Sequence, residues 1–99
     1  VPLDESLCRV DLDISGRGGF FMHGEWPKEK AGTFDSYLAG EFLNSFGKNA
    51  EITLHLQIVC GDNAHHIVES AFKSVAAALR KAIARDASID GVPSTKGVL

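Results

Sequence analysis

Apolar and polar residues alternate through "SLCRVDLDIS", where Leu7 (with Cys8 beside it), Val10, Leu12 and Ile14 recur with the period of a half-buried strand. Gly16, Gly18 and Gly19 then mark a turn and "GFFMHGEW" resumes as a second strand, which predicts a hairpin with Arg17 at its tip. "PKEKAGT" is a polar link. Thr33 or Asp35 can cap a helix through "SYLAGEFLNSFGKN", in which Leu38, Phe42, Leu43 and Phe46 fall at helical spacing and Gly47 or Asn49 can stop it. In the third strand, "AEITLHLQIVC", Ile52, Leu54, Leu56 and Ile58 share one face, and Thr53, His55 and Gln57 share the other. From Asp62 or Asn63 a long helix reaches to about Arg85, with Val68, Phe72, Val75, Leu79 and Ala82 or Ile83 as its buried stripe. The tail "DASIDGVPSTKGVL" has no period. The order β-β-α-β-α predicts α+β architecture, a sheet with both helices packed on one face.

Length and composition narrow the class. At 99 residues there is room for one domain, residues 1–99, with a small core. With 44% hydrophobic and 23% charged residues and no low-complexity run, the chain reads as a globular protein. No apolar stretch approaches membrane-spanning length, and "VPLDESLCRV" lacks the basic segment and apolar core of a signal peptide, so a cytoplasmic location is expected, with no membrane partner. A net charge of −3 argues against a broad nucleic-acid surface, although clustered cations can still hold one phosphate. Cys8 and Cys60 lie in apolar strands and are expected to be buried free thiols.

Candidate chemistry concentrates in "GDNAHHIVESAFK". On a helix Glu69 follows His65 by four residues and His66 by three, so the three side chains can share a patch beside the buried stripe. Imidazole and carboxylate donors suit borderline divalent metals such as zinc, manganese, iron or nickel. The positive end of the helix dipole favours neutral rings, and Glu69 offsets its repulsion of a cation. Lys73, one turn beyond, suits an anion better than a metal. Spacing alone does not separate a metal site from a polar helix edge carrying two solvated histidines, and three ligands from one helix leave a site incomplete. His23 and His55 read as structural.

"NAHHIVESAFKSVAAALRKAI" followed by "GVPSTKGVL" resembles the C-terminal half of imidazoleglycerol-phosphate dehydratase, a manganese enzyme of histidine biosynthesis, and the likeness extends through "VPLDESL", "DISGR", "EKAGTFDSYL" and "ITLHL". That family is built as two similar halves, each with a histidine-pair helix. The resemblance implies that His65, His66 and Glu69 are manganese ligands, the two histidines serving different ions of a two-metal site, and that Glu41 is a further ligand. It implies that Arg17, Lys73, Ser94 and Lys96 grip the phosphate of a phosphorylated imidazole substrate. Asn44 departs from the family pattern, which usually has a basic or larger polar residue. The implied reaction is dehydration of imidazoleglycerol phosphate to imidazoleacetol phosphate, with Glu69 or a glutamate of the other half handling the proton.

One histidine pair and Glu41 supply at most about half the ligands of two six-coordinate ions. The N-terminal half of the enzyme, or a second copy, is therefore the expected partner. The resemblance also implies a homo-oligomer, in the resembled family a 24-mer octahedral shell. Two other classes stay open on the residues alone: a metal-binding assembly module without turnover, and a metal-free domain that binds a phosphoryl ligand through Arg17, Lys73 and Lys96.

Overall fold

The computed structural model describes residues 1–84. In chain order these form β1 (Pro2–Leu3), β2 (Ser6–Asp13), β3 (Gly19–His23), β4 (Lys30–Ala31), β5 (Phe34–Asp35), α1 (Ser36–Asn49), β6 (Thr53–Cys60) and α2 (Ala64–Ile83). The architecture is α+β: a four-stranded sheet, β1-β2-β6-β3, carries both helices on one face, and β4 and β5 form a separate two-stranded hairpin. Among the described residues no helix is long and apolar enough to cross a membrane.

The expected hairpin between β2 and β3 does not form. Those strands are antiparallel in direction, but β6 lies between them, antiparallel to β2 and parallel to β3. The glycine-containing loop therefore bridges two strand spacings, about 9–10 Å, instead of one. Parallel pairing of β3 with β6 needs a crossover, which the segment containing α1 supplies. The inserted strand carries two residues of the core. Leu54 and Leu56 are fully shielded, and each sits in a row of three apolar residues across the sheet, Leu12–Leu54–Phe20 and Val10–Leu56–Met22. The expected inward face of β6 is thus the core face, joined by Ile52 and flanked by Leu43, Ile67, Ala71 and Val75 from the helices.

Each helix is capped by a side chain. Asp35 accepts from the Tyr37 amide at the start of α1, and Asn63 from the His66 amide at the start of α2. Helix α1 runs on through Gly47 to a cap at Ala50, and α2 ends at Ile83. The expected buried stripes are only partly right. On α1, Ala39, Leu43 and Gly47 are buried, whereas Leu38 and Phe42 are largely exposed. The inner face of α2 is Ile67, Ser70, Ala71, Ser74 and Val75. Val68, Phe72 and Leu79 lie at its margin, and Ala82 and Ile83 are exposed. Hydrogen bonding explains the shift. The Cys8 amide donates to Ser70 Oγ at 3.0 Å, and Ser74 Oγ donates to the Cys8 carbonyl at 3.0 Å, so small hydroxyl residues draw α2 close onto β2. Cys8 is buried as expected, but Cys60, at the end of the central strand, is exposed.

His55 and His23 project from the opposite, open face of the sheet. Their rings are hydrogen-bonded, Nε2 of His23 to Nδ1 of His55 at 2.9 Å, and Phe21 stacks on His55.

Candidate metal centre

The turn between β1 and β2, the start of α2 and the β4–β5 hairpin meet around a cleft of about 470 Å³ lined by Leu3, Lys30, Gly32, Asn63, His65, His66 and Glu69. The segment expected to be a polar link thus forms one wall, folded back at Gly32, whose φ of +67° suits a residue without a Cβ. Lys30 brings a cation to the rim that the sequence reading missed.

The histidine pair divides its bonds between two sides. His65 Nε2 lies 3.1 Å from Glu69 Oε2, and the other oxygen of Glu69 meets Lys73 Nζ at 3.2 Å. Lys73 first, then His65, holds the Glu69 carboxyl below its ordinary value. His66 turns away, its ring nearly perpendicular to that of His65, and bonds through Nδ1 to Oε1 of Glu5. Its Nε2 is 3.7 Å from Asp4 Oδ2, beyond hydrogen-bond range. The bond to Glu5 raises the pKa of His66 above its ordinary value.

Glu5 was not singled out from the sequence. Its second oxygen accepts from Ser6 Oγ at 2.5 Å and from the Asp62 and Asn63 amides at 2.8 and 3.3 Å. The Ser6 hydroxyl, the His66 ring and the Asp62 amide, in that order, hold its carboxyl far below the usual carboxylate range. The one available signal was the acidic pair "DE" directly before an alternating strand, which does not reveal a partner 61 residues away.

The other expected site residues are not gathered here. Glu41 is exposed on α1 and does not line the cleft. Arg17 is exposed in the loop after β2, where its Nη1 donates to the Ser15 carbonyl at 3.3 Å. Glu5 precedes β2 and Arg17 follows it, so the eight-residue strand separates them by roughly 25 Å. Ser94 and Lys96 lie outside the described residues. Among the described residues no three histidine, cysteine or acidic side chains surround one point that could hold a metal ion. The cleft offers two partial donor sets instead, His65 with Glu69 and His66 with its acidic neighbours.

A model of the family described as imidazoleglycerol-phosphate dehydratase matches residues 1–79. The chain belongs to the imidazoleglycerol-phosphate dehydratase family. It is 53% identical over 100 aligned residues to the dehydratase of Methylorubrum populi, covering 100% of this chain and 51% of that one. It is 48% identical over 99 residues to that of Desulforamulus reducens, covering 100% and 50%. Among solved structures, the dehydratase from Staphylococcus aureus superposes with a TM-score of 0.82 at 41% identity, over 87% of this chain and 50% of that one. The dehydratase from Pyrococcus furiosus gives 0.82 at 38% identity, over 99% and 53%. The chain therefore spans about half the length of the curated dehydratases it matches.

Proposed function

We propose that this chain is one half of a catalytic unit that dehydrates imidazoleglycerol phosphate to imidazoleacetol phosphate in histidine biosynthesis, and that the unit is completed by a complementary half or a second copy. The observation that carries this reading is the divided histidine pair. His65 with Glu69 and His66 with its acidic neighbours are two partial ligand sets at one cleft, in a chain that spans about half the length of its relatives.

Imidazole nitrogens and carboxylates on an open cleft fit manganese, and each set lacks the further ligands a six-coordinate ion takes. Glu41 is the natural contribution to a set built on a neighbouring copy, since it is exposed and away from the local cleft. The same holds for Arg17, which together with Lys73, Ser94 and Lys96 supplies the phosphate grip, its forked guanidinium matched to a dianion. Exposed Tyr37, Leu38 and Phe42 on α1 leave apolar surface for the partner to cover.

Bound manganese would supply Lewis-acid charge to the substrate's imidazole nitrogens. Glu69, kept ionised by Lys73 and His65, is the group placed to take a proton, and Lys73 keeps its carboxylate oriented along the helix. The assembly is a homo-oligomer in which sites form between copies.

The test is manganese binding by calorimetry for the wild type and for His65→Ala and His66→Ala, with a dehydration assay before and after adding an N-terminal half from a full-length relative. Both variants should lose metal, added manganese should promote self-association, and activity should be absent or very low until the other half is supplied. Full metal stoichiometry in both folded variants overturns the ligand assignment. Metal binding without turnover in the reconstituted unit supports the assembly-module reading instead.

A further inference from the structure

Glu5 sits in the two-residue connection between β1 and β2, where Asp4 takes a positive φ of 49° and turns the chain toward α2. Three of the four bonds to its carboxylate come from hydroxyl or backbone donors. Ser6 Oγ and the Asp62 and Asn63 amides converge on Oε2, and Ser6 is almost wholly buried. Backbone amides have no alternative role, so Oε2 is held as an acceptor at the helix start. Oε1 is then fixed in place against Nδ1 of His66.

An ionised carboxylate can only accept, so Nδ1 must carry the hydrogen of that bond. A neutral His66 ring accordingly has its hydrogen on Nδ1 and its lone pair on Nε2. The geometry at Nε2 agrees. Its nearest acidic oxygen is 3.7 Å away, too far for a donated hydrogen bond.

We infer that Glu5 is the positioning residue of the histidine pair: it selects the Nδ1–H tautomer of His66 and leaves Nε2 as the atom presented for metal binding. The tautomer assignment stands on this chain alone, and the metal clause rests on the proposed function. Carboxylates that accept from the distal nitrogen of a metal-binding histidine fix ring orientation and raise ligand basicity in this way.

Glu5→Gln separates these statements. The three donors at Oε2 demand the amide oxygen there, which forces the amide nitrogen against Nδ1 of His66. Nδ1 must then accept, and the ring hydrogen moves to Nε2. Ser6 and the Asp62 and Asn63 amides keep their acceptor, so the fold is retained, and Glu5→Ala serves as the variant that loses all four bonds. The experiment records long-range ¹⁵N–¹H correlations of the imidazole rings in the metal-free chain, above the pH at which His66 titrates, followed by calorimetry with manganese alone. Nδ1–H is expected for His66 in the wild type and Nε2–H in Glu5→Gln, with manganese affinity reduced about 10- to 100-fold. Retention of Nδ1–H in a folded Glu5→Gln chain, or Nε2–H in the wild type, overturns the inference. The expected tautomers with no manganese binding by the wild type would uphold the positioning role and overturn the proposed metal site.

Discussion

Gly61 links the end of β6 to the start of α2 and supports the whole cleft. Its φ of +149° lies in a region that residues with a Cβ rarely enter. A Cβ there would stand 2.4 Å from Ser6 Oγ and 2.8 Å from Ile67 Cγ1. Neither neighbour can withdraw: Ser6 is buried with its hydroxyl committed to Glu5, and Ile67 is in the core. The backbone conformation costs an alanine about 1–3 kcal/mol. Overpacking against a filled site adds about 1–3 kcal/mol, and the stiffer unfolded chain returns about 0.4–1 kcal/mol. Gly61→Ala should therefore lose about 1–5.5 kcal/mol of stability, about 3 kcal/mol at the middle of these ranges, which lowers a urea midpoint by about 1.5 M at a slope of about 2 kcal/mol per M. Gly32→Ala is the comparison, because Gly32 also has positive φ but a Cβ there meets nothing within 4 Å. Only the backbone term applies, about 1 kcal/mol. Urea unfolding followed by circular dichroism measures both. A loss for Gly61→Ala no larger than for Gly32→Ala would show that the contacts with Ser6 and Ile67 do not constrain this turn.

Two further outcomes follow from titration and exposure. The folded-state pKa of His66 is raised above its ordinary 6.5 by Glu5, so its contribution to stability is fully present below pH 6.5 and is lost as pH rises through the higher folded value. Melting temperature against pH should therefore fall across that window in the metal-free wild type and stay flatter in His66→Ala; equal slopes would remove the bond to Glu5 as a stabilising contact. Cys60 is exposed, whereas Cys8 is buried and its thiol pKa is pushed up by desolvation, so a thiol reagent should modify one cysteine in the native chain and the second only on unfolding. Two fast-reacting thiols would contradict the packing of α2 on β2.

What the sequence made legible depended on how local the cause was. Alternation in β6 identified its core face because period-2 burial is a property of the strand itself. The cap at Asn63 was readable for the same reason. The hairpin expectation failed because glycines at 16, 18 and 19 specify that the chain turns, and they say nothing about which strand occupies the space beside β2. The inner face of α2 is only partly legible from apolar size, because Ser70 and Ser74 are held inward beside Val75 by bonds to the backbone of Cys8, while Phe72 and Leu79 lie at the margin. The histidine pair was legible, but its division was not. Helical spacing puts His66 within reach of Glu69, yet the stronger attraction comes from Glu5, whose approach depends on β1, β2 and the start of α2 meeting in space.

The insertion of β6 between β2 and β3 governs how the chain must acquire its structure. The first two long strands are made before β6 and do not pair with each other, and their shared neighbour is completed only at Cys60. At a translation rate of about 5–20 residues per second, β2 and β3 wait seconds with unpaired edges before the gap between them closes. Most of the sheet's pairing is therefore established in one late, non-local step, which places this topology on the slow side for its length. A nascent chain stopped before β6 holds no sheet that joins β2 to β3, only β2 with its short partner β1 and a separate β3.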